Sequence, residues 1–105
     1  MTTIRFYRDK DRLSGFVCQG HSGYAPAGED IVCAAVSSSV TLTECIINDV
    51  YQCGAEVTVK EKGTRISLML PPSSHEGCQA AMQGFLLCMK ELSLEYPEHL
   101  TVLEV

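Results

Sequence analysis

A chain of 105 residues, 46% of them hydrophobic, is long enough to bury one core, so we expect a single globular domain over residues 1–105. The net charge of −5 disfavours direct binding of nucleic acid, because such proteins usually carry an excess of Lys and Arg, and it suits a basic partner instead. The N-terminus does not have the form of a signal peptide, and no run approaches the roughly 20 apolar residues of a membrane span, so we expect a cytoplasmic protein without a membrane partner.

The hydrophobic pattern predicts two strands at the start of the chain. Residues 3–8 alternate apolar and polar side chains, as a half-buried strand does, and residues 13–20 form a second strand after a charged turn. A glycine-rich loop follows over residues 20–29. Asp30 is a typical N-cap residue for the helix that comes next, and the helix is predicted to run to about Gln52. Cys33 then lies in its first turn.

This first helix is predicted to be apolar on more than one face. One stripe contains Ile31, Ala34, Ala35, Leu42, Cys45, Ile46 and Val50. Four further apolar residues fall off that stripe, namely Val36, Val40, Ile47 and Tyr51. A helix of this kind is either deeply buried or also packs against a second subunit. We therefore expect a homodimer.

The second half of the chain predicts a hairpin and a second helix. Apolar residues alternate along two strands within residues 57–70, and the hairpin turns at residues 61–63. Ser73 followed by Glu76 fits a capping box at the start of a helix. That helix is predicted to end before Pro97, and a last strand follows it.

The predicted order of elements is ββαββαβ. The strands are clustered and do not alternate singly with helices, which disfavours a parallel doubly wound sheet. The order favours an α+β fold in which two helices pack on one mostly antiparallel or mixed sheet.

The segment from Gly20 to Cys33 carries the candidate chemistry. A helix N-terminus has a partial positive charge and free N–H groups, which favour the thiolate form of a cysteine in the first turn. His21, where the second strand gives way to the loop, is the candidate base, and the loop is long enough to fold back to Cys33. The simpler interpretations stay open here: Cys33 as a small buried residue, and His21 as an exposed histidine.

Two more residues of this segment have both a structural and a functional interpretation. Asp30 is explained by helix capping, and it is also a candidate to orient His21. Ser37 lies one turn beyond Cys33, where its hydroxyl would hydrogen-bond to the thiolate or to substrate, or would simply permit close packing.

The loop itself is a candidate substrate-binding element. Ser22, Gly23, Tyr24 and Gly28 are the residues that we expect to form a lid over the substrate or a wall beside it. Glycines let the backbone approach a ligand closely. The P-loop pattern with its Lys-Ser/Thr is absent, so phosphate binding is disfavoured.

The remaining cysteines predict neither a disulfide framework nor a cofactor. In a reducing cytosol we expect them to stay thiols. A zinc site formed by Cys18, His21, His75 and Cys78 is the rival interpretation, but Cys18 and His21 lie three apart on a strand and so point to opposite faces. We expect no metal and no cofactor.

The segments GHSGYA (residues 20–25) and GEDIVCAAVS (residues 28–37) closely resemble the ribosomal-processing cysteine protease family known as Prp. The resemblance implies a cysteine endopeptidase that removes the N-terminal extension of bacterial large-subunit ribosomal protein number 27, cutting after an aromatic or apolar residue in a basic tail. It implies a homodimer, with His21 and Cys33 as the catalytic dyad. The supporting motif positions are Gly20, Asp30 and Ser37.

One departure and one alternative accompany the resemblance. Ser22 stands where the family often has Ala, a small change that leaves the dyad intact. The alternative function is a non-catalytic, ribosome-associated module that binds a protein and uses the loop as a clamp. A reactive Cys33 thiolate would distinguish the protease from the module.

Overall fold

The computed structural model describes residues 1–20, 27–60 and 65–105, with only the backbone of residues 27–30 described. The elements in chain order are β1 (Thr2–Asp9), β2 (Arg12–Gln19), α1 (Ala27–Glu44), a π-helical segment (Cys45–Val50), β3 (Glu56–Lys60), β4 (Arg65–Met69), α2 (Glu76–Glu95) and β5 (Leu100–Glu104). The predicted order ββαββαβ is confirmed. The hairpin turn predicted at residues 61–63 lies outside the described residues.

The strands form one sheet in the order β3-β4-β2-β1-β5. Among the described strands, β1 and β5 pair in parallel and the other neighbours are antiparallel, so the predicted mostly antiparallel or mixed sheet is confirmed. The register places Phe16 of β2 opposite Phe6 of β1 and opposite Leu68 of β4. Since paired residues share a face, these side chains form one apolar surface.

The core lies between that surface and the two helices. From α2 it receives the buried side chains of Cys78, Met82, Phe85, Leu86 and Met89. The Phe85 ring lies 4.7 Å from that of Phe16 and 5.4 Å from that of Phe6, between centroids, and so joins the helix to the middle of the sheet. Tilted aromatic contacts of this kind stabilise a core beyond the area they bury.

The start of α1 corrects three predictions. The helix begins at Ala27, so Asp30 lies within its first turn and is not the N-cap, and Cys33 lies in the second turn. Gly28 belongs to the helix and not to the loop. The two acidic residues Glu29 and Asp30 favour this earlier start, because negative charge in a first turn interacts well with the helix dipole.

The buried face of α1 differs from the predicted stripe. Val32, Val36 and Val40 are buried against the sheet, whereas Ile31 and Leu42 of the predicted stripe are 56% and 62% exposed. Both faces are apolar at helical spacing, so periodicity alone did not tell which of them meets the sheet. The helix therefore leaves an apolar surface uncovered.

The expectation about membrane-span length is wrong for this helix. Residues Ile31–Val50 form a 20-residue stretch with a mean hydropathy of 1.5, long and apolar enough to cross a membrane. Part of this apolarity has a structural explanation, because Val36, Val40 and Ile47 belong to the hydrophobic core.

The N-terminus of α2 is capped differently from the prediction. The helix begins at Glu76, and the Nδ1 atom of His75 accepts a hydrogen bond of 2.9 Å from the backbone N–H of Gly77. His75 also stacks on Tyr51, with 4.7 Å between ring centroids. The imidazole thus supplies the cap that was predicted for Ser73.

A disulfide between Cys53 and Cys78 corrects the expectation that all cysteines remain thiols. Cys78 is fully buried in the core, and Cys53 packs against that core just after the π-helical segment. The contact between Tyr51 and His75 brings the two segments together, which the spacing of the cysteines in the sequence did not indicate.

Truncating Phe85 should cost more stability than any exposed truncation on the same helix. Phe85→Ala removes the ring that contacts two sheet aromatics, and we expect a loss of about 3–5 kcal/mol in the free energy of unfolding, measured with urea. Leu94→Ala is the matched control, because Leu94 is 83% exposed on α2. Similar losses for both variants would contradict this account of the core.

Candidate active site

Cys33 lies in a cleft of about 220 Å³ between α1 and the ends of the strands β2, β3 and β4. The cleft has an apolar part formed by Val36, Val59 and Ile66. Its polar part contains Thr2, Gly20, Cys33 and Ser37. A partly exposed thiol beside an apolar recess is the arrangement that a thiol nucleophile needs for a peptide substrate.

Three of the predicted site residues lie together in the structure, and several others lie outside the described residues. Gly20, Cys33 and Ser37 line the same cleft. His21, Ser22, Gly23 and Tyr24 lie outside the described residues, as does the Asp30 side chain. The dyad of His21 and Cys33 therefore stays a prediction. Gly20, the residue before His21, reaches the cleft from the end of β2.

Gly20 occupies a position that only glycine fits. Its φ of +91° lies in the region that L side chains avoid, and a Cβ here would lie 2.5 Å from the carbonyl oxygen of Met1. The chain can leave β2 towards α1 at this point only because Gly20 lets the N-terminal residues pass so closely. The sequence predicted that glycine lets the backbone approach a ligand closely, and at Gly20 the close neighbour is the backbone of Met1.

Thr2 is a residue of the cleft that the sequence reasoning missed. Its hydroxyl donates a hydrogen bond of 2.8 Å to the carbonyl oxygen of Gly20 and lies 3.9 Å from the Cys33 sulfur. No motif includes Thr2, but period-two alternation places it on the same face of β1 as Ile4, towards the helices. That alternation was the available signal.

Cys18 is a second thiol in the cleft. Burial, and secondarily the charge of Cys33, raises the pKa of Cys18 to about 11. Cys18 is therefore a neutral thiol at physiological pH and a poor nucleophile. It pairs in register with Ile66 of β4, so it forms part of the floor of the cleft.

Two cationic residues stand at the β3–β4 side of the cleft. Lys60 and Arg65 are cross-strand partners at the ends of their strands, and both line the cleft. In a chain with a net charge of −5 they make the local charge differ in sign from that of the whole protein. Both lie within the predicted hairpin, and no motif in the sequence singles them out.

The rival zinc set is divided between different parts of the fold. Cys78 is bonded to Cys53 in the core, whereas Cys18 lies in the cleft. Within residues 1–20, 27–60 and 65–105, no group of three or more His, Cys, Asp or Glu side chains is arranged to hold a metal ion.

The family model described as cysteine protease Prp matches residues 1–101. The chain belongs to this family. The resemblance drawn from residues 20–37 is thereby confirmed, and the protein is a cysteine protease. The search of curated protein sequences found no match.

Solved structures share the fold of this Prp family member over its full length. SMU.848 from Streptococcus mutans is 28% identical with a TM-score of 0.91, over 100% of this chain and 94% of that one. The ribosomal processing protease Prp from S. aureus with a substrate peptide is 18% identical with a TM-score of 0.91, over 100% of both chains. Its complex with a covalently linked product peptide gives 19% and 0.88, again over 100% of both.

Removing the Cys18 thiol should change how stability depends on alkaline pH. Because the pKa of Cys18 in the folded protein, about 11, lies above the ordinary thiol value of 9.0, the native state keeps a proton that the unfolded chain loses. The neutral Cys18 thiol therefore contributes to the free energy of unfolding below pH 9, and this contribution is lost as the pH rises through 11. In Cys18→Ala we expect the decline in unfolding free energy over this interval to be smaller, by up to about 2 kcal/mol.

The measurement is urea unfolding at a series of pH values, with Cys88→Ala as the control because Cys88 is exposed. Only the pH dependence is compared, since either variant has its own effect at neutral pH. Identical pH dependences for Cys18→Ala and the wild type would contradict the burial of this thiol.

Proposed function

We propose that this protein removes the N-terminal extension of bacterial large-subunit ribosomal protein number 27, using His21 and Cys33 as a catalytic dyad. The carrying observation is the position of Cys33, a partly exposed thiol on the wall of a cleft with an apolar recess, in a member of the cysteine protease Prp family. The S. aureus relative, described as a ribosomal processing protease, was crystallised with a substrate peptide and with a covalently linked product peptide. Such complexes fit a thioester mechanism.

The proposed chemistry is acyl transfer through the Cys33 sulfur. His21 takes the thiol proton, and the sulfur attacks the peptide carbonyl to form a tetrahedral intermediate. His21 then protonates the leaving amine, which departs and leaves a thioester. Water, deprotonated by His21, hydrolyses the thioester and regenerates the thiol.

The early start of α1 limits which groups can donate hydrogen bonds to the oxyanion of the tetrahedral intermediate. The N–H groups without an intrahelical partner are those of the N-cap and of the first three helical residues, which in α1 end at Glu29. Cys33 lies beyond these residues, so its N–H is used within the helix and is not free for an oxyanion. We assign a donor role towards substrate to the hydroxyl of Ser37, which lies in the cleft one turn beyond Cys33.

The apolar recess supports cleavage after an aromatic or apolar residue. Val36, Val59 and Ile66 come from three different elements and leave a space beside Cys33 that a hydrophobic side chain would fill. Val59 is 61% exposed without substrate, so binding there removes apolar surface from water. The net charge of −5 suits the approach of a basic tail at long range, while Lys60 and Arg65 make the β3–β4 side of the cleft itself cationic.

The uncovered face of α1 supports the proposed homodimer. Ile31, Leu42 and Val50 are 56%, 62% and 70% exposed on the helix that carries Cys33. An apolar stripe of this kind is typical of an interaction surface. We assign this stripe to contact with a second copy of the chain, with no nucleic acid and no membrane as partner, and we place the protein in the cytoplasm, where ribosomal proteins are made.

Cys33→Ala should abolish cleavage because no other atom replaces the sulfur nucleophile. We expect at least about a 1,000-fold loss in kcat/KM, with the melting temperature little changed. The substrate is the purified precursor of ribosomal protein number 27, and mass spectrometry maps the new N-terminus. Cys45→Ala is the matched control, since Cys45 is an exposed thiol on the continuation of the same helix.

Retained cleavage in Cys33→Ala would overturn the proposed role of this residue. Binding of the precursor by the wild type without any cleavage would favour the alternative, a non-catalytic module. Cleavage after a charged residue, and not after an aromatic or apolar one, would contradict the role of the apolar recess.

Leu42→Lys should weaken self-association because it places a charge in the middle of the exposed stripe. We expect a dimer for the wild type at micromolar concentration and at least about a 10-fold higher dimer dissociation constant for the variant, measured by analytical ultracentrifugation. Thr58→Lys, an exposed change on β3, is the control. A monomeric wild type at that concentration would contradict the dimer.

A further inference from the structure

We propose that Thr2 is a positioning residue of the active site, whose single hydroxyl proton alternates between the carbonyl oxygen of Gly20 and the ionised sulfur of Cys33. The inference rests on the proposed function in one respect, the nucleophilic role of Cys33. It assigns to the first strand a part in catalysis that the motif of residues 20–37 does not contain.

The hydroxyl of Thr2 is held rigidly by the backbone around it. Thr2 is 4% exposed, and its N–H donates a hydrogen bond of 2.9 Å to the carbonyl oxygen of His99. It also pairs with Leu100 at the start of the parallel contact between β1 and β5. A β-branched side chain on such a backbone has few rotamers, so its oxygen has a fixed place in the cleft.

Because the Thr2 hydroxyl has one proton, it can donate either to the Gly20 carbonyl oxygen or to the Cys33 sulfur, but not to both. A threonine hydroxyl has one proton and two acceptor lone pairs. In the structure the proton is directed to the Gly20 oxygen at 2.8 Å, so towards Cys33, at 3.9 Å, the oxygen acts as an acceptor for the thiol proton. This arrangement fits the neutral thiol.

Ionisation of Cys33 reverses the direction of that contact. Once the thiol proton has passed to the base, the sulfur has no proton to donate and becomes an anionic acceptor. The Thr2 hydroxyl then turns its proton to the sulfur, because hydrogen bonds to charged groups are stronger than those between neutral groups. The same rotation of the hydroxyl breaks its hydrogen bond to the carbonyl oxygen of Gly20, the residue that precedes His21.

Other charged or titratable groups lie around Cys33. Cys18 from β2, Lys60 from β3 and Arg65 from β4 line the same cleft, while His21 and Asp30 lie near it in sequence. A pair of Thr2 variants that differ only in the hydroxyl leaves all of these groups unchanged. The comparison therefore isolates the contribution of Thr2.

The test compares Thr2→Val with Thr2→Ser. Valine keeps the branched shape and removes the hydroxyl, whereas serine keeps the hydroxyl. We measure the rate of Cys33 alkylation by iodoacetamide against pH in a Cys45→Ala, Cys88→Ala background, together with kcat and KM for the precursor. For Thr2→Val we expect the alkylation midpoint to rise by about 0.5–1 pH unit and kcat at pH 7 to fall about 3–10-fold, with little change in KM. Thr2→Ser should restore both values.

The results separate this inference from the proposed function. If Cys33→Ala is inactive while Thr2→Val matches the wild type in midpoint and kcat, the role of Thr2 is wrong and the protease assignment stands. Equal shifts in Thr2→Val and Thr2→Ser would also overturn it, because the hydroxyl would not be their cause. If Thr2→Val does not fold, as judged by circular dichroism, Thr2→Ala against Thr2→Ser provides the same comparison.

Discussion

The burial of one stripe of α1 against the sheet determines where the nucleophile lies. Val32, Val36 and Val40 fix the rotation of the helix, because these side chains are buried in the same core as the inner face of the sheet. Cys33 follows Val32 directly, so helical geometry places it at the border between the buried stripe and the open side. A rotation that buried the other apolar face would move the sulfur out of the cleft. The packing of the core therefore also sets the position of the reactive sulfur.

The order of elements and the sheet type were predictable because period-two and period-3.6 patterns are strong in this chain. The start of α1 was not, because Asp30 fits both a cap and a first-turn residue, and Ala27 gives no signal of its own. The buried face of α1 was also ambiguous, since Ile31 and Val32 belong to two apolar stripes of similar strength. Only the competition for space above the sheet selects one of them.

In the candidate site, too, the residues of the local motif were predictable from the sequence, whereas those brought in by long-range contacts were not. Cys33, Ser37 and Gly20 were found from a short segment, because the motif is local and its residue types suit a thiol nucleophile. Alternation along β1 gives the face on which Thr2 lies, but the strand pairing that brings Thr2 and Lys60 to the cleft is long-range and leaves no local pattern. The disulfide between Cys53 and Cys78 belongs to the same class of long-range contacts, and it was missed for the same reason.

The close passage of the N-terminal residues beside Gly20 has a practical consequence for fusion proteins. Thr2 is part of the cleft wall and Met1 crosses Gly20, so a tag attached ahead of Met1 would emerge at the mouth of the catalytic centre. Val105 lies towards the far end of β1, where its N–H donates to the carbonyl oxygen of Phe6 at 2.8 Å. Affinity handles, fluorophores and surface-immobilisation anchors therefore belong at the carboxyl end, where they leave the entrance for substrate unobstructed.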